Sequence, residues 1–73
     1  MKLEEIYSLI KRQSEEVYKL KSEGYEETWT YPKNPYEIQT DMRHMRNSNH
    51  MKVISNMVRT QLIKNGKLIK TII

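Results

Sequence analysis

The chain has no cysteine, so neither disulfides nor a thiolate metal site can staple it. It also lacks phenylalanine and alanine, and it holds only two glycines and two prolines. With glycine this scarce, there is no glycine-rich phosphate loop. No apolar run approaches the ~20 residues that a membrane span needs, and no signal-peptide pattern opens the chain. A cytoplasmic protein is therefore expected. A thiol nucleophile is missing and no serine stands beside a plausible His–Asp set, so an enzyme is not expected. The acidic pairs Glu4/Glu5, Glu15/Glu16 and Glu26/Glu27 are sequence neighbours, which on a helix point about 100° apart and do not converge on a substrate. His44 and His50 have no third ligand nearby and make a poor zinc set. The expectation is no metal and no cofactor.

What is present is a single small domain of 73 residues, whose core must be thin. Its stability has to come from packing, oligomerisation or a partner. The net charge of +4 is uneven. Residues 1–30 hold five Lys/Arg against seven Asp/Glu, and residues 31–73 hold eight against two. A basic second half suits a polyanion. Nine lysines, eight isoleucines and five asparagines fit an AT-rich coding sequence, such as that of a low-GC bacterium or its phage.

Leu3, Ile6, Ile10, Val17 and Leu20 alternate at three and four, with Gln13 filling the gap, which predicts a helix from Lys2 to Glu23 ended by Gly24. Glu4 and Glu5 in its first turn and Lys19 and Lys21 in its last suit the helix dipole. Its apolar face is wide enough to touch its own domain on one side and a second molecule on the other. A homodimer through this helix is expected. Tyr25–Tyr31 reads as a strand, rich in threonine and aromatics and ended by Pro32. Asn34, Pro35 and Glu37 then resemble N-cap, N1 and N3 of a second helix, running to Arg46 with Ile38, Met42 and Met45 on one face. A break at Asn47-Ser48-Asn49 precedes a third helix, 49–64, with Met51, Ile54, Met57, Val58, Gln61 and Leu62 inward. Asn65-Gly66 stops it, and Lys67–Ile73 reads as a second strand. The expected fold class is α+β: three helices with a small two-stranded sheet, in the order α-β-α-α-β. It divides into an N-terminal helix over 1–24 and a helix-turn-helix-like unit over 25–73.

The face of the third helix opposite the core carries Lys52, Ser55, Asn56, Arg59 and Thr60. Such residues can bind base edges and phosphates in a major groove. The run from Val53 to Lys70 resembles the reading helix and first wing strand of winged helix-turn-helix domains: an apolar-periodic helix, a leucine shortly before a glycine, then an aliphatic strand. The resemblance covers residues 25–73 at the level of fold. The returning wing strand is missing, because the sequence ends at Ile73, and the second helix lacks the usual alanine-rich pattern. The resemblance implies Lys52, Asn56 and Arg59 in the major groove and Lys64, Lys67 and Lys70 near the backbone. Arg43 and Arg46 would clamp phosphate. The expected function is that of a small regulator, phage or mobile-element encoded, reading duplex DNA with helix 49–64. The competing expectation is a protein-binding module or an inhibitor of a host enzyme. That module would use Trp29, Tyr31 and Tyr36 around the prolines, the methionines, or the wide face of the first helix.

Overall fold

A computed structural model describes residues 3–73. The helix α1, Leu3–Ser22, leads into five strands: β1 Tyr25–Asn34, β2 Glu37–His44, β3 His50–Ser55, β4 Thr60–Lys64 and β5 Lys67–Ile72. The strands form one antiparallel sheet in sequence order, β1-β2-β3-β4-β5. The fold class is thus α+β with one helix and five strands, and the expectation of three helices over a two-stranded sheet is corrected.

The first helix and the two outer strands stand close to where sequence periodicity places them. The second and third helices do not form. Residues 35–46 make a turn, β2 and the start of the next turn. Residues 49–64 make β3, a turn at 56–59 and β4, so the run read as a reading helix is a hairpin. Asn34 does not cap a helix. Its Oδ1 accepts a hydrogen bond from the Tyr36 backbone amide at 3.0 Å, and Asn34 pairs with Glu37 across a tight turn. Asn65 and Gly66, with φ of 50° and 84°, do not stop a helix but form the two-residue connection between β4 and β5. The chain does reverse around Ser48, whose φ is 60°, but it joins two strands there.

The helix lies across one face of the sheet. Beneath it, Leu20, Met42, Met51, Val53 and Leu62 form the apolar core, with Val17, Tyr25 and Ile72 at its margin. These residues alternate along their strands, as a half-covered sheet requires. The rest of the interface is polar. Gln13, Thr40, Ser55 and Thr60 are all buried. Gln13 Nε2 donates to Thr40 Oγ1 at 2.7 Å and to the Val53 carbonyl at 3.1 Å. Ser55 Oγ donates to Gln13 Oε1 at 2.6 Å and lies 2.7 Å from Thr60 Oγ1. Arg12 donates to Thr60 Oγ1 at 3.0 Å and to the Asn56 carbonyl at 2.8 Å, tying the helix to the β3–β4 turn. No buried side-chain nitrogen or oxygen among the described residues lacks a partner, as a polar layer in a dry interface demands. Glu16, 4% exposed, is paired with Lys19 at 3.2 Å and with Lys70 at 3.7 Å, which fastens β5 to the helix.

Candidate functional site

Because strand side chains alternate, burying Thr40, Met42, Met51, Val53 and Leu62 under α1 sends their neighbours to the opposite face. Among the described residues, no element covers that face. The strand register lays it out in rows. One row runs Trp29, Asp41, Lys52, Ile63, Leu68. The next runs Tyr31, Gln39, Ile54, Gln61, Thr71. A shorter row holds Glu26, Arg43 and His50. A register shift between Glu27 and Trp29 sets Trp29 on this face, opposite Asp41.

The open face joins apolar and aromatic groups to charges of both signs. Trp29 is 65% exposed and Leu68 56% exposed. Tyr31, Ile54 and Ile63 are half-buried within their rows. Gln39, flanked by Tyr31 and Ile54, is buried although no element of the described residues lies over the sheet on this side, and its Nε2 donates to Asp41 Oδ1 at 2.8 Å. Glu26, Glu37 and Asp41 stand against Arg43 and Lys52, so the face is not a cationic surface. At the sheet's edge, the Thr30 hydroxyl donates to the Glu27 carboxylate. That bond, with a smaller contribution from Lys21, holds the Glu27 carboxyl below its ordinary pKa.

The residues expected to contact DNA are dispersed. Ser55 and Thr60 are fully buried in the polar layer. Asn56 Oδ1 accepts hydrogen bonds from the amides of Val58 and Arg59, both at 2.9 Å, and so builds the β3–β4 turn. Arg59 precedes β4 and Lys64 ends it, about 17 Å apart at the rise of an extended strand. Lys52 and Arg43 are exposed on the open face. Arg46, Lys64 and Lys67 stand at the end of the sheet that holds the β2–β3 and β4–β5 turns, where Asn65 Nδ2 donates to Asn49 Oδ1 at 3.1 Å. The aromatic and methionine groups also divide. Trp29 and Tyr31 lie on the open face, Tyr36 in the first turn, and Met42 and Met51 in the core. Ile54, Ile63 and Leu68 belong to the face but escape a helical reading. Their signal was that aliphatic residues persist on both parities of β3, β4 and β5.

His44 is a structural residue. Its Nδ1 accepts the Arg46 amide at 3.1 Å, and its Nε2 lies 3.0 Å from the Glu23 carbonyl. With an amide pointing at Nδ1, the ring proton sits on Nε2 and is donated to Glu23. Among the described residues, no three of the His, Asp and Glu side chains gather as a metal site. No helix of the described residues is long and apolar enough to cross a membrane. Comparison with protein-family models, curated proteins and solved structures finds no match to the chain.

Proposed function

We propose that this chain is a small protein-binding module that engages its partner through the uncovered face of the sheet. One observation carries the reading: a five-stranded sheet protected on one side only presents Trp29, Tyr31, Ile54, Ile63 and Leu68 together on the other. An exposed aromatic beside aliphatic side chains, rimmed by charges of both signs, has the composition of a protein interface. Three carboxylates against two cations on the same face do not favour a polyanion. Trp29 would act as the anchor, with Asp41, Arg43 and Lys52 setting orientation.

Affinity capture from a nuclease-treated lysate of the source cells tests this. The wild-type chain is expected to retain one protein in stoichiometric amount, and Trp29→Ala/Leu68→Ala to lose it. Equal retention by both chains, or retention of nothing, overturns the reading.

Duplex DNA binding is the second reading. It rests on the eight Lys/Arg against two Asp/Glu in residues 31–73 and on Arg46, Lys64 and Lys67 at one end of the sheet. If it holds, duplex is retarded in a gel at about 50 mM salt and released steeply as salt rises. Absence of a shift at low salt removes it.

A further inference from the structure

The helix carries a buried stripe, part apolar and part polar, and a second, apolar stripe that the fold leaves exposed. Leu9, Gln13, Glu16 and Leu20 are buried against the sheet. Leu3, Tyr7, Ile10 and Tyr18 are 61%, 61%, 50% and 74% exposed. At about 100° per residue these four fall, with Ser14, inside an arc of about 80°, centred roughly 130° around the helix from the buried stripe. The exposed row is about 22 Å long. Four large apolar side chains held in water on one line of a rigid helix form a surface that gains by being covered.

We propose that the occupant is the same stripe of a second copy, paired antiparallel about a two-fold axis near residues 12 and 13. The charge pattern of the helix selects both the partner and the direction. Glu4 and Glu5 occupy its first turn and Lys19 and Lys21 its last. A parallel pair would set Glu4 against Glu4 and Lys21 against Lys21. An antiparallel pair sets Glu4 beside Lys21 of the second copy, twice by symmetry, and opposes the helix dipoles. In the same register Tyr7 meets Tyr18 of the second copy and Ile10 meets Ser14, a small residue that lets the helices approach. The buried stripe is not disturbed, because the two stripes lie on different sides of the helix. The uncovered faces of the two sheets stay free in the pair, so this inference is independent of the open-face reading. A single helix face lies near the lower size limit for stable interfaces, so self-association belongs in the micromolar range.

Sedimentation equilibrium of the full chain, up to on the order of 200 µM, tests the proposal in that range. The mass is expected to climb from that of one 8.8 kDa chain toward twice that value. Tyr18→Glu should remain at the single-chain mass throughout while keeping its circular dichroism spectrum, since Tyr18 supports no core contact. Glu4→Lys should weaken the pair roughly tenfold, because symmetry counts each like-charge contact twice, and adding Lys21→Glu should restore it. The Lys21–Glu27 ion pair, 3.4 Å in length, is lost in the double variant; that alters the stability of one chain and not its mass. Trp29→Ala should leave the mass unchanged. A wild-type chain that stays at 8.8 kDa overturns the proposal. So does a double variant that fails to recover, or a pair lost in Trp29→Ala and kept in Tyr18→Glu.

Discussion

Gln13 and Ser55, 42 positions apart, are joined by a 2.6 Å hydrogen bond in which the serine hydroxyl donates to the amide oxygen of the glutamine. That direction orders the whole buried layer. A hydroxyl has one proton to give. Ser55 has spent its own on Gln13, so Thr60 must donate to Ser55, and Thr60 in turn accepts from Arg12. On the other side, Gln13 donates to Thr40. Beyond it, the Thr30 hydroxyl is the donor facing both Thr40 Oγ1, at 3.1 Å, and the Glu27 carboxylate. The result is a one-way chain, Arg12–Thr60–Ser55–Gln13–Thr40, that starts on a guanidinium and ends on a threonine hydroxyl, which also accepts from Thr30. Bonds aligned in this sense polarise one another.

Cutting this chain at its centre should be costly. Gln13→Leu leaves Thr40, Ser55 and the Val53 carbonyl short of partners and is expected to destabilise the fold by about 2–3 kcal/mol. Urea unfolding followed by circular dichroism measures it. A neutral or stabilising outcome would show that the layer contributes no more than an apolar one of the same volume.

Arg12 anchors the turn that contains residues 56–59. Arg12→Lys keeps the charge but cannot reproduce the fork that reaches both Thr60 Oγ1 and the Asn56 carbonyl. A loss of about 1–2 kcal/mol is expected, with amide exchange accelerating first at Val58 and Arg59. Uniform acceleration across the sheet would contradict a local anchoring role.

Glu27 supplies the pH dependence. Its folded pKa lies below the ordinary value of 4.5, chiefly through the Thr30 hydroxyl, so its contribution to stability is complete above that value. It is lost as pH falls through the folded pKa. Thr30→Val should raise the Glu27 pKa toward 4.5 and flatten the acid limb of the stability curve. Carboxyl chemical shifts followed through an NMR titration read both effects.

Gly24 cannot accept a side chain. Its φ is +103°, and a Cβ there would stand 2.8 Å from His44 Nε2. Gly24→Ala should therefore cost about 1–3 kcal/mol and displace the His44 ring from Glu23 and from the turn at residues 45–47. The aromatic-ring and His44 signals in a proton spectrum report that displacement directly.

The helix and the outer strands were legible because each has one dominant signal: a 3-4 stripe from Leu3 to Leu20, aromatics and threonines from Tyr25, β-branched residues from Lys67. The middle of the chain misleads for a physical reason. Three of the seven residues that the helix buries on β2, β3 and β4 are polar, Thr40, Ser55 and Thr60, while Ile54 and Ile63 lie on the open side. Apolar residues on both faces and hydroxyls in the core erase the period-two pattern by which strands are recognised. The spacing of Ile38, Met42 and Met45 then imitates a helix. The turn residues are shared as well. Asn34-Pro35 suits a helix start and a hairpin alike, and Asn65-Gly66 suits a helix stop and a two-residue hairpin loop alike. Of the open face, only Trp29 and Tyr31 could be anticipated, because its other members are assembled by cross-strand register.

The nearest-neighbour order of the strands has a kinetic corollary. Every strand pairs only with the one made just before or after it, so the sheet can zip up hairpin by hairpin with short loops to close. The helix is different: its seat is built from Thr40, Val53, Ser55 and Thr60. During synthesis it emerges before the strands that seat it and must wait, with its apolar side chains bare, until β4 has left the ribosome.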